Sequence, residues 1–213
     1  MGPARALDVA SIDVASIDVT SSDGRRARSE RSRDAAVDAI LDLLNEGAAD
    51  PPSAAEVAER SGLSIRTVFR LFDDLESLYA AAVEHQRQRL GEHFVFEATR
   101  GDVDQRIADL IAQRVRLYEV VLHVRPFAEQ LRHTSEAVGA VLELMDTQQR
   151  EQLAAQFAPE LAPRSAAERT ELLDALAVAT GWGAWDVLRR QQHRSRTRAG
   201  RAMARMVSAL LGD

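Results

Sequence analysis

Cysteine and lysine are both absent from the 213 residues, and only two tryptophans and two tyrosines occur. Without cysteine there is no disulfide, no thiolate metal site and no thiol nucleophile, so cysteine-type zinc fingers are excluded and the composition fits a reducing compartment. No apolar run approaches the roughly 18 to 20 residues that a membrane helix needs. The N-terminus has no apolar core bounded by positive charge of the kind that marks a signal peptide, and the reading is cytosolic, with no membrane partner. Missing too are Glu-x-x-His pairs, a Gly-rich phosphate loop, a Gly-x-Ser-x-Gly elbow and a His-Glu-x-x-His helix, so the expectation is no enzyme, no cofactor and no metal.

An excess of positive charge is lacking as well, since the net charge is -6. Steering depends on where charge sits rather than on its sum. Residues 25 to 90 carry ten arginines against twelve acids, yet Arg25, Arg26, Arg28, Arg31 and Arg33 fall within nine residues that hold one acid, Glu30. Arg66 and Arg70 add a second basic feature one helical turn apart.

What is present is helical periodicity. Residues 8 to 19 repeat Asp-Val-Ala-Ser-Ile, a period of five that suits neither a helix stripe nor strand alternation, and residues 1–28 are read as a disordered tail. From Ser32 the pattern turns helical. A first helix is expected over Ser32 to Asn45, with Ala36, Ile40, Leu43 and Leu44 on one face and Gly47 as its stop. Ser53 and Glu56 form a capping box for a second helix ending near Arg60, and Asp73 with Glu76 repeats that spacing before a longer helix striped by Leu75, Leu78, Tyr79, Ala82, Val83 and Leu90. Further helices are expected from Asp102, broken at Pro126; from Ser135, ended by Pro159 and Pro163; over Ala166 to Gln192; and over Arg194 to Leu211. The fold class is all-α: a helix-turn-helix domain over 29–73 followed by a helical ligand-binding and dimerisation domain over 74–213.

Residues 57 to 72 carry the function. A helix-turn-helix needs a small residue where two helices cross, a glycine able to turn left-handed and an apolar inner face on the second helix; Ala58, Gly62, Leu63, Val68 and Leu71 supply these. Ser64 can cap the second helix, leaving Ile65, Arg66, Thr67, Phe69 and Arg70 for its outer side, the part of a recognition helix that meets base edges in the major groove. Arg66 suits guanine or phosphate, Thr67 a phosphate or a thymine methyl, and Arg70 the backbone. Ser53, Arg28 and Arg33 complete the expected DNA-contacting set. The bland reading is a helical hairpin in a bundle, with solvated arginines.

On these residues the chain resembles the TetR family of one-component regulators. The resemblance runs from about Arg33 to Val83 and is strongest in Ala58-Glu59-Arg60-Ser61-Gly62-Leu63-Ser64 and Thr67-Val68-Phe69-Arg70-Leu71-Phe72. It implies a three-helix DNA-binding head, a fourth helix leading into a divergent helical body, and a dimer built on the last two helices. It points to repression at a palindromic operator, with activation as the alternative. The sequence departs from the family pattern at Phe69 and Leu71, where a tyrosine is usual, and at Leu75, where a phosphate-contacting lysine is frequent; the arginine-rich segment is the available compensation.

For a small-molecule effector the expected pocket residues are Tyr118, His123, Phe127, Met145, Trp182 and Trp185, with Arg125 or His123 to orient a polar group. The bland alternative is that these aromatic and methionine side chains are core. Met203, Met206, Val207 and Leu210 stripe the last helix, and the last two helices of each subunit are expected to form an intersubunit four-helix bundle in a homodimer.

Overall fold

The computed structural model describes residues 15–47, 51–89, 91 and 98–212, with side chains from residue 24 onward. Among the described residues every regular element is helical.

Helix α1 spans Ala15–Asn45, α2 Ala54–Ser61 and α3 Ile65–Leu71. Together they enclose Ala36, Ile40, Leu44, Val57, Ala58, Val68 and Phe72, all buried, so the stripe expected on α1 does face a core. The start of α1 corrects the sequence reading: the chain is already helical from Ala15, well before Ser32. Of the expected tail, residues 1–14 lie outside the described residues. The reason for the early start is cooperative. Once the buried turns of α1 are formed, adding residues upstream costs far less than nucleating a new helix, so an extension with no apolar stripe can follow.

Helix α4, Leu75–Arg89, packs on α1 and on α7, Glu136–Gln156. Its cap is Asp74, whose carboxylate accepts from the Ser77 amide at 2.7 Å, and not the expected Asp73. The expected Leu90 lies outside the described residues. Tyr79 on α4 donates its hydroxyl to Pro52 O at 2.7 Å, tying α4 to the entry of α2, and burial pushes its pKa up to about 12.

The body continues with α5, Val103–Val120, capped by Asp102; α6, Arg125–Leu131; α7; a short α8, Ala158–Leu161; α9, Ala166–Thr180; α10, Trp182–Asp186; a π-helical turn over Val187–Gln191; and α11, Arg196–Gly212. Its core is Leu110, Leu117, Tyr118, Leu153, Phe157, Leu176, Trp185, Met203 and Val207. The break expected at Pro126 falls at Val121–Val124, which leaves Pro126 in the first turn of α6, where its missing N–H costs nothing. The single helix expected over Ala166 to Gln192 is instead divided at Gly181, where an added Cβ would lie 2.7 Å from Ala177 O. A smaller cluster of Ala128, Val138, Leu142 and Met145 takes in Ala80 and Val83 of α4, so α6 and α7 seat the helix that carries the head.

Candidate nucleic-acid interface and ligand groove

The turn between α2 and α3 is made by Gly62 at φ 70°, ψ 17°, the left-handed region that side chains with a Cβ avoid. Leu63 then donates its amide to Ala58 O at 3.0 Å, which closes α2. At the entrance to α2 the capping box forms as expected: the Ser53 amide donates to Glu56 Oε2 at 2.8 Å and the Glu56 amide to Ser53 Oγ at 3.3 Å. Ser64 caps α3, accepting from the Thr67 amide at 3.1 Å, and its hydroxyl lies 2.8 Å from that of Thr67.

These devices fix which side of α3 faces outward. Val68 is buried, whereas Ile65 and Phe69 are each 47% exposed, an unusual display for large apolar side chains, and Arg66 and Arg70 are exposed beside them. Arg33, expected to meet DNA, is engaged within the head instead. It donates to Leu71 O at 2.8 Å and its guanidinium lies 4.3 Å from the centre of the Phe72 ring, so it closes the C-terminus of α3. Arg60 holds α2 to the end of α1 through two 2.8 Å hydrogen bonds to the Glu46 carboxylate. Ser53 is committed to its cap, and Arg28 is exposed on α1.

The six expected pocket residues do not converge. Tyr118 and Trp185 are core: the Tyr118 hydroxyl is buried within hydrogen-bond distance of Gln149 Oε1, 2.8 Å, and Thr180 O, 2.9 Å, and Trp182 stands edge-on to the Tyr118 ring at 5.7 Å. Burial pushes the Tyr118 pKa up. Met145 faces a small crevice against Val83 and Leu142. His123 and Phe127 lie on the other side of α6, beside Leu44 and Arg190. Of the six only Trp182 lines the groove of about 330 Å³ bounded by α6, α7, α9 and α10, whose polar walls include Arg125, expected as an orienting group, with Glu129, Arg132, Asp146, Gln149 and Arg150.

That groove carries a feature sequence reasoning missed. Arg125 and Arg132 both bind Glu129, at 2.8 and 2.7 Å, and both approach Asp146, at 3.5 and 3.0 Å. Burial pushes the Glu129 carboxyl up, but the hydrogen bond from Arg132 and the charge of Arg125 outweigh it and hold the pKa below its ordinary value. The i,i+4 and i,i+3 spacings on α6 were visible signals; Asp146, on another helix, was not.

The terminal stripe is also divided. Met203 and Val207 are fully buried inside their own subunit, and Leu210 packs on the same core, so these three are not a free face. The reason is that α11 packs against both α5 and α9. Met206 is 38% exposed, and Val178 on α9 is 75% exposed.

No family model and no curated protein matches the chain. Solved structures do. A transcriptional regulator from Rhodococcus sp. RHA1 superposes with a TM-score of 0.66 at 19% identity, covering 84% of this chain and 96% of that one. A TetR transcriptional regulator from the same organism gives 0.55 at 20% identity, covering 85% and 97%. A protein assigned to the TetR family, from Mesorhizobium loti MAFF303099, gives 0.58 at 17% identity, covering 88% and 96%. The fold of this chain is therefore that of TetR-type regulators, with the helix-turn-helix in the N-terminal head and a helical body behind it.

Proposed function

We propose that the chain is a cytosolic, ligand-responsive transcription regulator that binds a palindromic operator as a homodimer and represses by occupying it. The observation that carries this reading is the outer face of α3, where Ile65, Arg66, Phe69 and Arg70 stand exposed on a helix fixed by the Gly62 turn and the Ser64 cap. Arginine beside apolar side chains suits the major groove, because a guanidinium reads guanine O6 and N7 while apolar groups meet thymine methyls. Residues 29–73 act as the head and 74–213 as the body. Val178 of α9 and Met206 of α11 contribute to the face that a second copy covers.

The effector enters the groove beside Trp182. Filling it favours a different seating of α6 and α7, which is passed to the head because α7 packs on α4 and Ala128 of α6 shares a cluster with Ala80 and Val83 of α4. A ligand does this only through unequal affinity for the two arrangements.

Selection of bound duplexes from a random pool tests the proposal. An inverted repeat should be enriched and retained by a species of twice the 23.4 kDa chain mass. A pool that stays random after selection overturns it.

A further inference from the structure

Arg125 and Arg132 of α6 share one carboxylate on their own helix and reach for a second on α7. The shared one is Glu129, partly buried, which accepts from the Nε of Arg125 at 2.8 Å and from that of Arg132 at 2.7 Å. The second is Asp146, and its hold is weaker: its side chain is 51% exposed, 3.5 Å from Arg125 and 3.0 Å from Arg132. Arg125, by contrast, is only 4% exposed. Among the described residues its short bond is the one from Nε to Glu129, while Nη1 meets Met145 Sδ at 3.8 Å and Nη2 the Asp146 carboxylate at 3.5 Å. A buried guanidinium served in this way gains from an acceptor that replaces Asp146 and approaches more closely. The same groove has an apolar lining beside the arginines, made by Leu153, Ala177 and Trp182. Arg125 also lines the small crevice against α4, together with Val83, Arg87 and Met145. It therefore stands between the groove and the helix that carries the head.

Resting on the reading of this groove as the effector site, we propose that the effector is a small organic monocarboxylate with a flat apolar body, and that it acts by taking Arg125 and Arg132 away from Asp146. The charge count sets the class. With Asp146 displaced, two guanidiniums face one carboxylate, Glu129, so one further negative charge neutralises the set, whereas a dianion leaves a surplus charge beside Glu129. Arg150, the other arginine of the groove, is already bonded to Asp174 at 2.5 Å. Asp146 brings an acceptor and buries nothing. A ligand carboxylate brings an apolar body as well, which Leu153, Ala177 and Trp182 remove from water, and that burial favours the exchange. At about 330 Å³ the groove lies at the small end of ligand sites, which suits an acid of one or two rings. The exchange unties α6 from α7, because Asp146 is the α7 end of the clasp. Drawing Arg125 toward the ligand also lifts it from Met145 and from the crevice against α4, so an event in the groove reaches the helix behind the head.

The experiment uses the full chain with benzoate and 2-naphthoate, each set beside its neutral amide. Tryptophan emission reads binding, and affinity for a selected operator reads release. 2-Naphthoate should bind more tightly than 2-naphthamide and lower operator affinity, and operator DNA should weaken 2-naphthoate by the same factor, about 5- to 150-fold. Asp146→Asn should imitate the effector: operator binding weakens with no ligand present, and 2-naphthoate binds more tightly. Glu143→Gln, which removes an exposed charge from the same helix, should change neither. Circular dichroism and rescue by Asp146→Glu, which keeps the charge, separate a cut clasp from a damaged fold. Acids that bind no more tightly than their amides overturn the proposal, and so does an Asp146→Asn protein with wild-type affinity for both operator and 2-naphthoate. Neither result touches the assignment of the groove as the effector site. That assignment falls, and the proposal with it, if the emission change caused by a DNA-releasing compound survives Trp182→Phe.

Discussion

Two glycines with equally empty surroundings should respond to alanine in opposite directions. An added Cβ at Gly62 meets no atom within 4 Å, and the same is true at Gly24. Sterics with neighbours therefore cancel from the comparison and only the backbone differs. Gly62 sits at φ 70° in the turn before α3, where a side chain with a Cβ costs about 1 to 2 kcal/mol. Gly24 lies inside α1, where replacing glycine by alanine gains about 0.5 to 1 kcal/mol. At Gly62, asparagine should cost less than alanine, because its short polar side chain tolerates the left-handed region, and valine should cost more. Tryptophan emission is the wrong probe, since Trp182 and Trp185 both lie in the body core. Amide exchange reads the effect where it occurs: the Val68 amide, bonded to Ser64 O at 3.1 Å, should exchange faster in Gly62→Ala, and the amides near Arg28 should exchange more slowly in Gly24→Ala. If Gly62→Ala protects Val68, the turn is not held in the left-handed region and the positioning of α3 argued from it is wrong.

Further outcomes follow from the same geometry. Glu84, Glu129 and Glu160 have pKa values held below the ordinary 4.5 by arginine partners. Their contribution to stability is therefore complete above about pH 4.5 and lost as pH falls through the lowered values, so urea unfolding midpoints should be flat from neutral to mildly acid pH and drop below it; a midpoint that holds at pH ~3 contradicts this. Val178→Glu with Met206→Glu should convert a species of twice the 23.4 kDa mass into one of the chain mass and weaken operator binding, whereas Met203→Glu should unfold the body; sedimentation and circular dichroism separate the two, and a double variant that stays dimeric rules out that face. A compound that releases DNA should alter tryptophan emission through Trp182, and Trp182→Phe should abolish the change while Trp185→Phe preserves it.

The parts of the fold legible in sequence were those governed by local chemistry. Ser53 with Glu56 and Ser64 each cap the helix expected of them, and the helices expected from Asp102 and Ser135 begin at those residues, because a cap depends on residues three positions apart; the cap expected at Asp73 falls one residue later, at Asp74. The left-handed turn at Gly62 was legible for the same reason. What failed was non-local. Met203 and Met206 stand three residues apart and share one apolar stripe, yet α11 packs on two neighbours and buries only the first. His123 and Phe127 fall on a different side of α6 from the groove beside Trp182, since spacing tells which residues share a helix face and not which faces meet. The division at Gly181 gave no signal that distinguished it from a glycine tolerated within a helix. The early start of α1 was invisible because its basic half buries no stripe.

Whether α3 reads DNA sequence is tested most directly by the affinity of Arg66→Ala for a selected operator and for a set of its single-base variants, measured on folded protein. The expected result is a loss of roughly 1 to 3 kcal/mol on the operator, with discrimination relaxed at one position in each half-site and preserved elsewhere. An Arg66→Ala protein that binds the operator as tightly as the wild type and discriminates all its variants equally well would contradict the assignment of α3 as the recognition helix.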